Sequence, residues 1–164
     1  VPKRPNFPGL SRTIPPNTGQ SRLSSPSCPL TEVRFAGYAS VFDRVDRGGD
    51  VVRAGAFAAS LREARAVPLL WQHRPGAVIG AIEALAEDAR GLRVVARVTH
   101  PTAARLVARG ALTGLSFGYR VRAARGARPR ELLALDLVEV SLVAVPMQPL
   151  ARVVGVARSD PPHS

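Results

Sequence analysis

From residue 32 to residue 145 the apolar residues fall in short runs, many alternating with polar ones, and turn residues interrupt them repeatedly. A side-chain period of two belongs to strands whose faces see different surroundings, so the pattern predicts a β-rich α+β domain with few helices. The clearest stretch is 92–98, where Leu92, Val94, Ala96 and Val98 alternate with Arg93 and Arg97. It pairs across Asp88-Ala89-Arg90-Gly91 with a strand over 78–85. Residues 32–42 read as a strand that ends in a loop over 43–50, where Asp46, Gly48, Gly49 and Asp50 supply turn chemistry before Val51 and Val52 resume extended structure. Pro68 marks the start of the apolar run Leu69-Leu70-Trp71. Two more strands, 115–122 and 132–145, flank the Arg125-Gly126-Ala127-Arg128-Pro129 turn. Helical spacing of Phe57, Leu61 and Ala64 predicts a helix over 56–66. A second helix opens at Pro101, with Ala104, Leu106, Val107 and Ala111 on its apolar side and Gly110 near its end.

A length of 164 residues suits one domain with a core of its own. Residues 1–30, dense in proline, serine and arginine, lack apolar periodicity to offset ordering entropy and read as a disordered basic arm. The folded unit is expected over 31–154, with a flexible tail over 155–164. Only 5% of residues are aromatic against 46% hydrophobic, so the core should be mainly aliphatic.

The formal net charge of +11 favours phosphates or acidic surfaces, but the arginines are scattered rather than striped, which fits non-specific nucleic-acid contact at most. A lone cysteine, Cys28, rules out an intramolecular disulfide and a cysteine-cluster zinc site, and a reducing compartment is the expectation. No apolar run reaches the roughly 20 residues of a membrane span, and residues 1–30 carry no signal-peptide core, so a soluble, non-exported chain is expected. P-loop, GxGxxG, CxxC and HExxH patterns are missing from the sequence, and Asp43, Asp46 and Asp50 lack the spacing and bidentate glutamate of an EF-hand. No cofactor and no metal are expected.

Alternation over 115–121 sets Leu115, Phe117, Tyr119 and Val121 against Ser116, Gly118 and Arg120. Ser116 reads either as a solvent-facing strand serine or as a nucleophile, with Gly118 on the same face leaving room for an extended substrate. A serine hydroxyl needs a neighbouring base, for which imidazole is suited near neutrality. Of the three histidines, His163 falls in the tail and His100 precedes Pro101 as a helix-entry residue, leaving His73 at the end of an apolar strand. His73 reads as that base or as a structural residue. A third group would hold the imidazole's tautomer. On 132–143, Glu139 shares its parity with Leu133, Leu135, Leu137, Ser141 and Val143, and Asp136 takes the other if the strand is regular. A carboxylate in an apolar row needs a partner, either an imidazole or one of the arginines.

The pieces Gly37-Tyr38-Ala39-Ser40-Val41-Phe42-Asp43, Gly49-Asp50-Val51-Val52, Gly55-Ala56-Phe57, Leu70-Trp71-Gln72-His73, Ile79-Gly80, Gly91-Leu92, Gly114-Leu115-Ser116-Phe117-Gly118-Tyr119 and Leu137-Val138-Glu139-Val140-Ser141-Leu142-Val143, running into Pro146, occur in that order. Together they resemble the HK97-type phage prohead (procapsid maturation) serine proteases. The resemblance implies a herpesvirus-assemblin-like β-barrel flanked by a few helices, with Ser116 as nucleophile, His73 as base and Glu139 as third member, Asp136 being the fallback. It implies oxyanion donors that are either backbone amides or an arginine near the loop after Ser116, around Arg120 to Arg125. It further implies cleavage of the scaffolding segment of the major capsid protein, and of the enzyme itself, inside an assembling procapsid in the bacterial cytoplasm, whether of a phage or of a domesticated phage-like element. The partners so implied are the capsid protein and further copies of the chain, with no membrane. The alternative is a catalytically inactive basic module for capsid assembly or nucleic-acid binding.

Overall fold

The computed structural model describes residues 32–158. Among them the order is β1 (Val33–Val41), β2 (Asp50–Val52), α1 (Ala58–Arg62), β3 (Leu69–Trp71), β4 (Val78–Glu87), β5 (Gly91–Val98), α2 (Pro101–Ala108), β6 (Gly114–Arg125), β7 (Arg130–Val143) and β8 (Val153–Arg158). The basic arm expected over 1–30, with Cys28, and the end of the tail, with His163, lie outside the described residues.

β7 organises the sheet. Along one edge it pairs antiparallel with β6. Its other edge takes two short parallel strands, β2 against its first residues and β3 against Val140, Ser141 and Leu142. From β3 the sheet continues antiparallel through β4, β5, β1 and β8. The alternation read at 92–98 is realised in β5: Leu92, Val94, Ala96 and Val98 are fully buried while Arg93 and Arg97 face water.

The inner face packs into one core around Phe35, Phe57, Leu69, Leu92, Leu115 and Leu142. Each fully buried large side chain contributes about 1.5–3 kcal/mol. The core is mainly aliphatic, as composition predicts. α2 covers it with Ala103, Ala104 and Val107. His100 is the N-cap of that helix, its Nδ1 accepting from the Ala103 N–H at 3.4 Å, which is the helix-entry role read from Pro101.

The barrel is a loose one, because among the described residues no ladder closes the sheet. Residues 151–153 stitch its ends: Leu115 N–H donates to the Ala151 carbonyl at 2.9 Å, Val153 N–H to the Thr113 carbonyl at 2.8 Å, and Tyr38 N–H to the Arg152 carbonyl at 3.0 Å. Gly37 is required at this crossing. A Cβ there would lie 2.5 Å from the Arg152 carbonyl oxygen and 2.8 Å from Leu115 Cδ1.

Three expectations change. The first helix is only Ala58–Arg62, because Gly55 (φ 88°) and Ala64 (φ 49°) take left-handed conformations on either side. The tail expected from residue 155 is β8 as far as Arg158, paired with Val33 to Gly37 of β1. Its valines are mostly exposed, so the strand rests on ladder hydrogen bonds rather than on an apolar row. Finally, β7 is irregular. Gly118 pairs with Glu139 but Tyr119 pairs with Leu137, leaving Val138 as an extra, exposed residue. The inward row is therefore Leu135, Leu137, Val140 and Leu142, and Glu139 is not part of it.

Candidate active site

Residues directly opposite on antiparallel strands project to the same face. Ser116 pairs with Ser141 and Gly118 with Glu139, while Leu115 and Leu142 pair on the core side. The Val138 bulge thus places Glu139 with Ser116, Gly118 and Ser141, on the face away from the apolar row it was expected to share.

His73 reaches this face from a strained turn. β3 ends at Trp71, and Gln72 and His73 follow with φ of 50° and 58°. Two successive non-glycine residues there cost on the order of 1–3 kcal/mol each. The turn is held by Gln72 N–H to the Leu142 carbonyl at 3.0 Å, Arg74 N–H to the Trp71 carbonyl at 2.9 Å, and Ala144 N–H to Gln72 Oε1 at 3.2 Å. His73 N–H itself donates to Ser141 Oγ at 3.1 Å.

The imidazole Nδ1 contacts Glu139 Oε1, and Glu139 Oε2 accepts from Ser141 Oγ at 2.6 Å. The Glu139 side chain is 10% exposed and that of His73 43%. A carboxylate acceptor at Nδ1 fixes the proton on that nitrogen and leaves Nε2 with its lone pair, the tautomer a general base requires. His73 and Ser116 line one cleft, together with Ser40, Asp46, Asp50 and Gln148. Among the described residues no hydrogen bond joins the ring to the Ser116 hydroxyl, a separation that general bases commonly close only when substrate is engaged.

The structure therefore gathers Ser116, His73 and Glu139 and leaves Asp136 out. Asp136 pairs with Arg122 on β6, which lowers its carboxyl below the ordinary aspartate value. The room expected beside Gly118 for substrate is already filled: a Cβ on Gly118 would stand 2.6 Å from Glu139 Oε1. No loop follows Ser116, since β6 continues to Arg125. Arg122 pairs with Asp136 and Glu63 and Arg125 with Glu131, and among the described residues no arginine lines the cleft.

Sequence reasoning missed two supports. Ser141 bridges the carboxylate and the His73 backbone; its position two residues beyond Glu139 on one strand was the available signal. Gln148 has a buried amide that accepts from Val41 N–H at 2.6 Å and donates to the Val41 carbonyl at 2.8 Å, fastening the loop after β7 to the end of β1 as one cleft wall. Nothing local in the sequence marks that long-range bond.

Residues 23–162 match the family described as Caudovirus prohead serine protease. The chain belongs to that family. The matched span begins inside the segment read as a basic arm. The Prohead protease of Enterobacteria phage HK97 is 38% identical over 94 residues, 53% of this chain and 42% of the relative, so the chain spans less than half of that relative's length. Two solved structures share the fold: Kaposi's sarcoma-associated herpesvirus (KSHV) protease in complex with a hexapeptide phosphonate inhibitor and varicella-zoster virus protease, each with a TM-score of 0.52. The first is 13% identical and covers 78% of this chain and 66% of its own; the second is 16% identical and covers 74% and 63%. This prohead protease family member thus carries the herpesvirus-protease-like fold.

Proposed function

We propose that the chain is a serine endopeptidase of procapsid maturation, with Ser116, His73 and Glu139 as its catalytic residues. The observation that carries the reading is the imidazole held at Nδ1 by a buried carboxylate, with its other nitrogen available to a cleft that Ser116 lines.

Ser116 Oγ attacks the scissile carbonyl as His73 Nε2 takes its proton, giving a tetrahedral oxyanion. Collapse of that intermediate breaks the C–N bond. His73 returns the proton to the departing amine, and an acyl-enzyme remains on Ser116. Water, deprotonated by the same nitrogen, hydrolyses the ester and restores the serine. Glu139 orients the ring and stabilises the imidazolium that forms in each half-reaction. Ser141 holds the second carboxylate oxygen, so that Glu139 presents Oε1 rather than rotating.

Family membership and the HK97 relative support action on capsid proteins, and the substrates we propose are the scaffolding segment of the major capsid protein and the enzyme itself, inside the procapsid. Co-expression with the cognate capsid protein, followed by gel and intact-mass measurement, tests this. The wild type shortens the capsid protein, and Ser116→Ala and His73→Ala abolish the shortening. Unchanged trimming in both variants rejects the catalytic assignment. Salt-dependent DNA association without trimming would instead mark a basic binding module.

A further inference from the structure

In a chain of net charge +11, the cleft beside Ser116 is lined by two carboxylates, Asp46 and Asp50, and, among the described residues, by no lysine or arginine. The carboxylates differ. Asp50 is already neutralised: Arg130 donates to both its oxygens at 2.9 and 2.6 Å, and Tyr119 OH donates to Oδ2 at 3.1 Å. Asp46 uses only Oδ1, which accepts from Gly48 N–H at 2.7 Å and Asp50 N–H at 3.0 Å, and no cation pairs with it among the described residues.

A second observation points to a ligand. The bulge in β1 between Tyr38 and Ser40 brings Ser40 opposite the core residue Leu92, so that its side chain turns inward and lines the same cleft. Ser40 is 1% exposed, and its hydroxyl has no hydrogen-bond partner among the described residues. A buried hydroxyl without a partner costs about 1–3 kcal/mol. Substrate can remove that cost.

We infer that this cleft is a subsite for a basic side chain, lysine foremost, adjacent to the scissile bond of the substrate, with Asp46 as the specificity-determining residue. The inference rests on the protease reading of Ser116. The ammonium pairs with the free Oδ2 of Asp46, while the Ser40 hydroxyl and the Tyr119 oxygen, whose proton is committed to Asp50, remain as acceptors. Met147 packs against the aliphatic stem; its sulfur would lie 4.0 Å from a Cβ on Gly48, which places it beside the Asp46 turn. A glutamate at the same substrate position meets the like charge of Asp46, which no cation offsets among the described residues.

The test uses fluorogenic peptides spanning the cleavage site and differing at one flanking position at a time: lysine, norleucine or glutamate. At one position the wild type is expected to cleave the lysine peptide with kcat/KM about tenfold above the norleucine peptide, with glutamate poorest. Asp46→Asn retains an Oδ1 acceptor for Gly48 and Asp50 while removing the charge, and is expected to bring the lysine-to-norleucine ratio near one. Thermal melting checks that this variant folds. Should it not fold, the wild-type ratio is measured between about 50 and 500 mM salt, where screening of a partly exposed pair reduces it, and a salt-independent ratio overturns the inference. Ser116-dependent cleavage with no lysine preference at any position, or with a preference intact in folded Asp46→Asn, overturns the subsite while leaving the protease reading in place. Absence of both cleavage and fluorophosphonate labelling of Ser116 overturns the protease reading and this subsite with it.

Discussion

Besides Glu131 near its start, β7 carries Asp136 and Glu139, three residues apart and in opposite kinds of surroundings. Asp136 meets Arg122 of the neighbouring strand, which also holds Glu63 at 2.6 Å, in a partly exposed network. Glu139 meets a histidine ring and a serine hydroxyl and is nearly shut away from solvent. One surplus residue, Val138, separates them in the ladder. A paired, partly exposed carboxylate contributes modestly to stability. A buried one aimed at an imidazole is positioned for chemistry.

The sharpest way to break this contrast is to remove the charge of Glu139 alone. Glu139→Gln is expected to lower kcat by about 10²- to 10⁴-fold, because a neutral amide neither fixes the tautomer nor stabilises the imidazolium. Steady-state kinetics on a peptide substrate reads the loss, and circular dichroism shows that the sheet persists. Wild-type turnover in this variant would reduce Glu139 to a structural partner of the turn.

Next in size is Gly118→Ala. The added Cβ would stand 2.6 Å from Oε1 and 3.0 Å from Cγ of Glu139, so the carboxylate must shift. Displacement by about 1 Å near a catalytic group costs on the order of 10²-fold in rate. The measured kcat should fall accordingly while the strand pairing, which needs only backbone, remains. An alanine variant with full activity would mean that Glu139 tolerates a new position.

Ser141→Ala removes the hydroxyl that accepts from His73 N–H and donates to Glu139. Leaving that partly buried N–H unpaired, on a turn already in left-handed backbone, is expected to cost about 1–3 kcal/mol of stability. Thermal melting checks it, and a smaller fall in kcat than for Gly118→Ala should accompany it. Ser141→Thr, which keeps the hydroxyl, should recover part of both.

Local patterns in the sequence singled out the candidate nucleophile and base but left a structural reading open for each, and their roles came from the resemblance to the prohead proteases. Ser116 lies in a clean period-two run, and only His73 among three histidines ends an apolar strand. The helix cap at His100 was legible for the same reason, since Pro101 fixes the start of its helix. The setting of Glu139 was not. Parity counting along 132–143 assigned it to the leucine row, and only the pairing of Tyr119 with Leu137 reveals the surplus residue that turns it out of that row. Register is a property of two strands, and no window on one of them contains it. Gly118 suffered likewise: its missing side chain looked like space for substrate, whereas its ladder partner occupies that space. The clamp from Gln148 to Val41 spans 107 positions, and the strand at Val153–Arg158 exists because β1 is there to pair with it.

The mildest variant, Asp136→Asn, completes the comparison from its other side. It should leave kcat close to wild type and lower the melting temperature slightly at neutral pH. Pairing with Arg122 holds the Asp136 carboxyl below its ordinary value in the fold, so in acid the unfolded chain binds more protons at this residue than the folded one does. The contribution is therefore complete above the unfolded value of about 3.9 and drains away as pH falls through the lower folded value. The difference in melting temperature between wild type and Asp136→Asn should accordingly be positive at pH 7 and shrink on acidification below about pH 4. If Asp136→Asn instead loses turnover as steeply as Glu139→Gln, the two carboxylates act together, and the bulge does not separate a stabilising residue from a catalytic one.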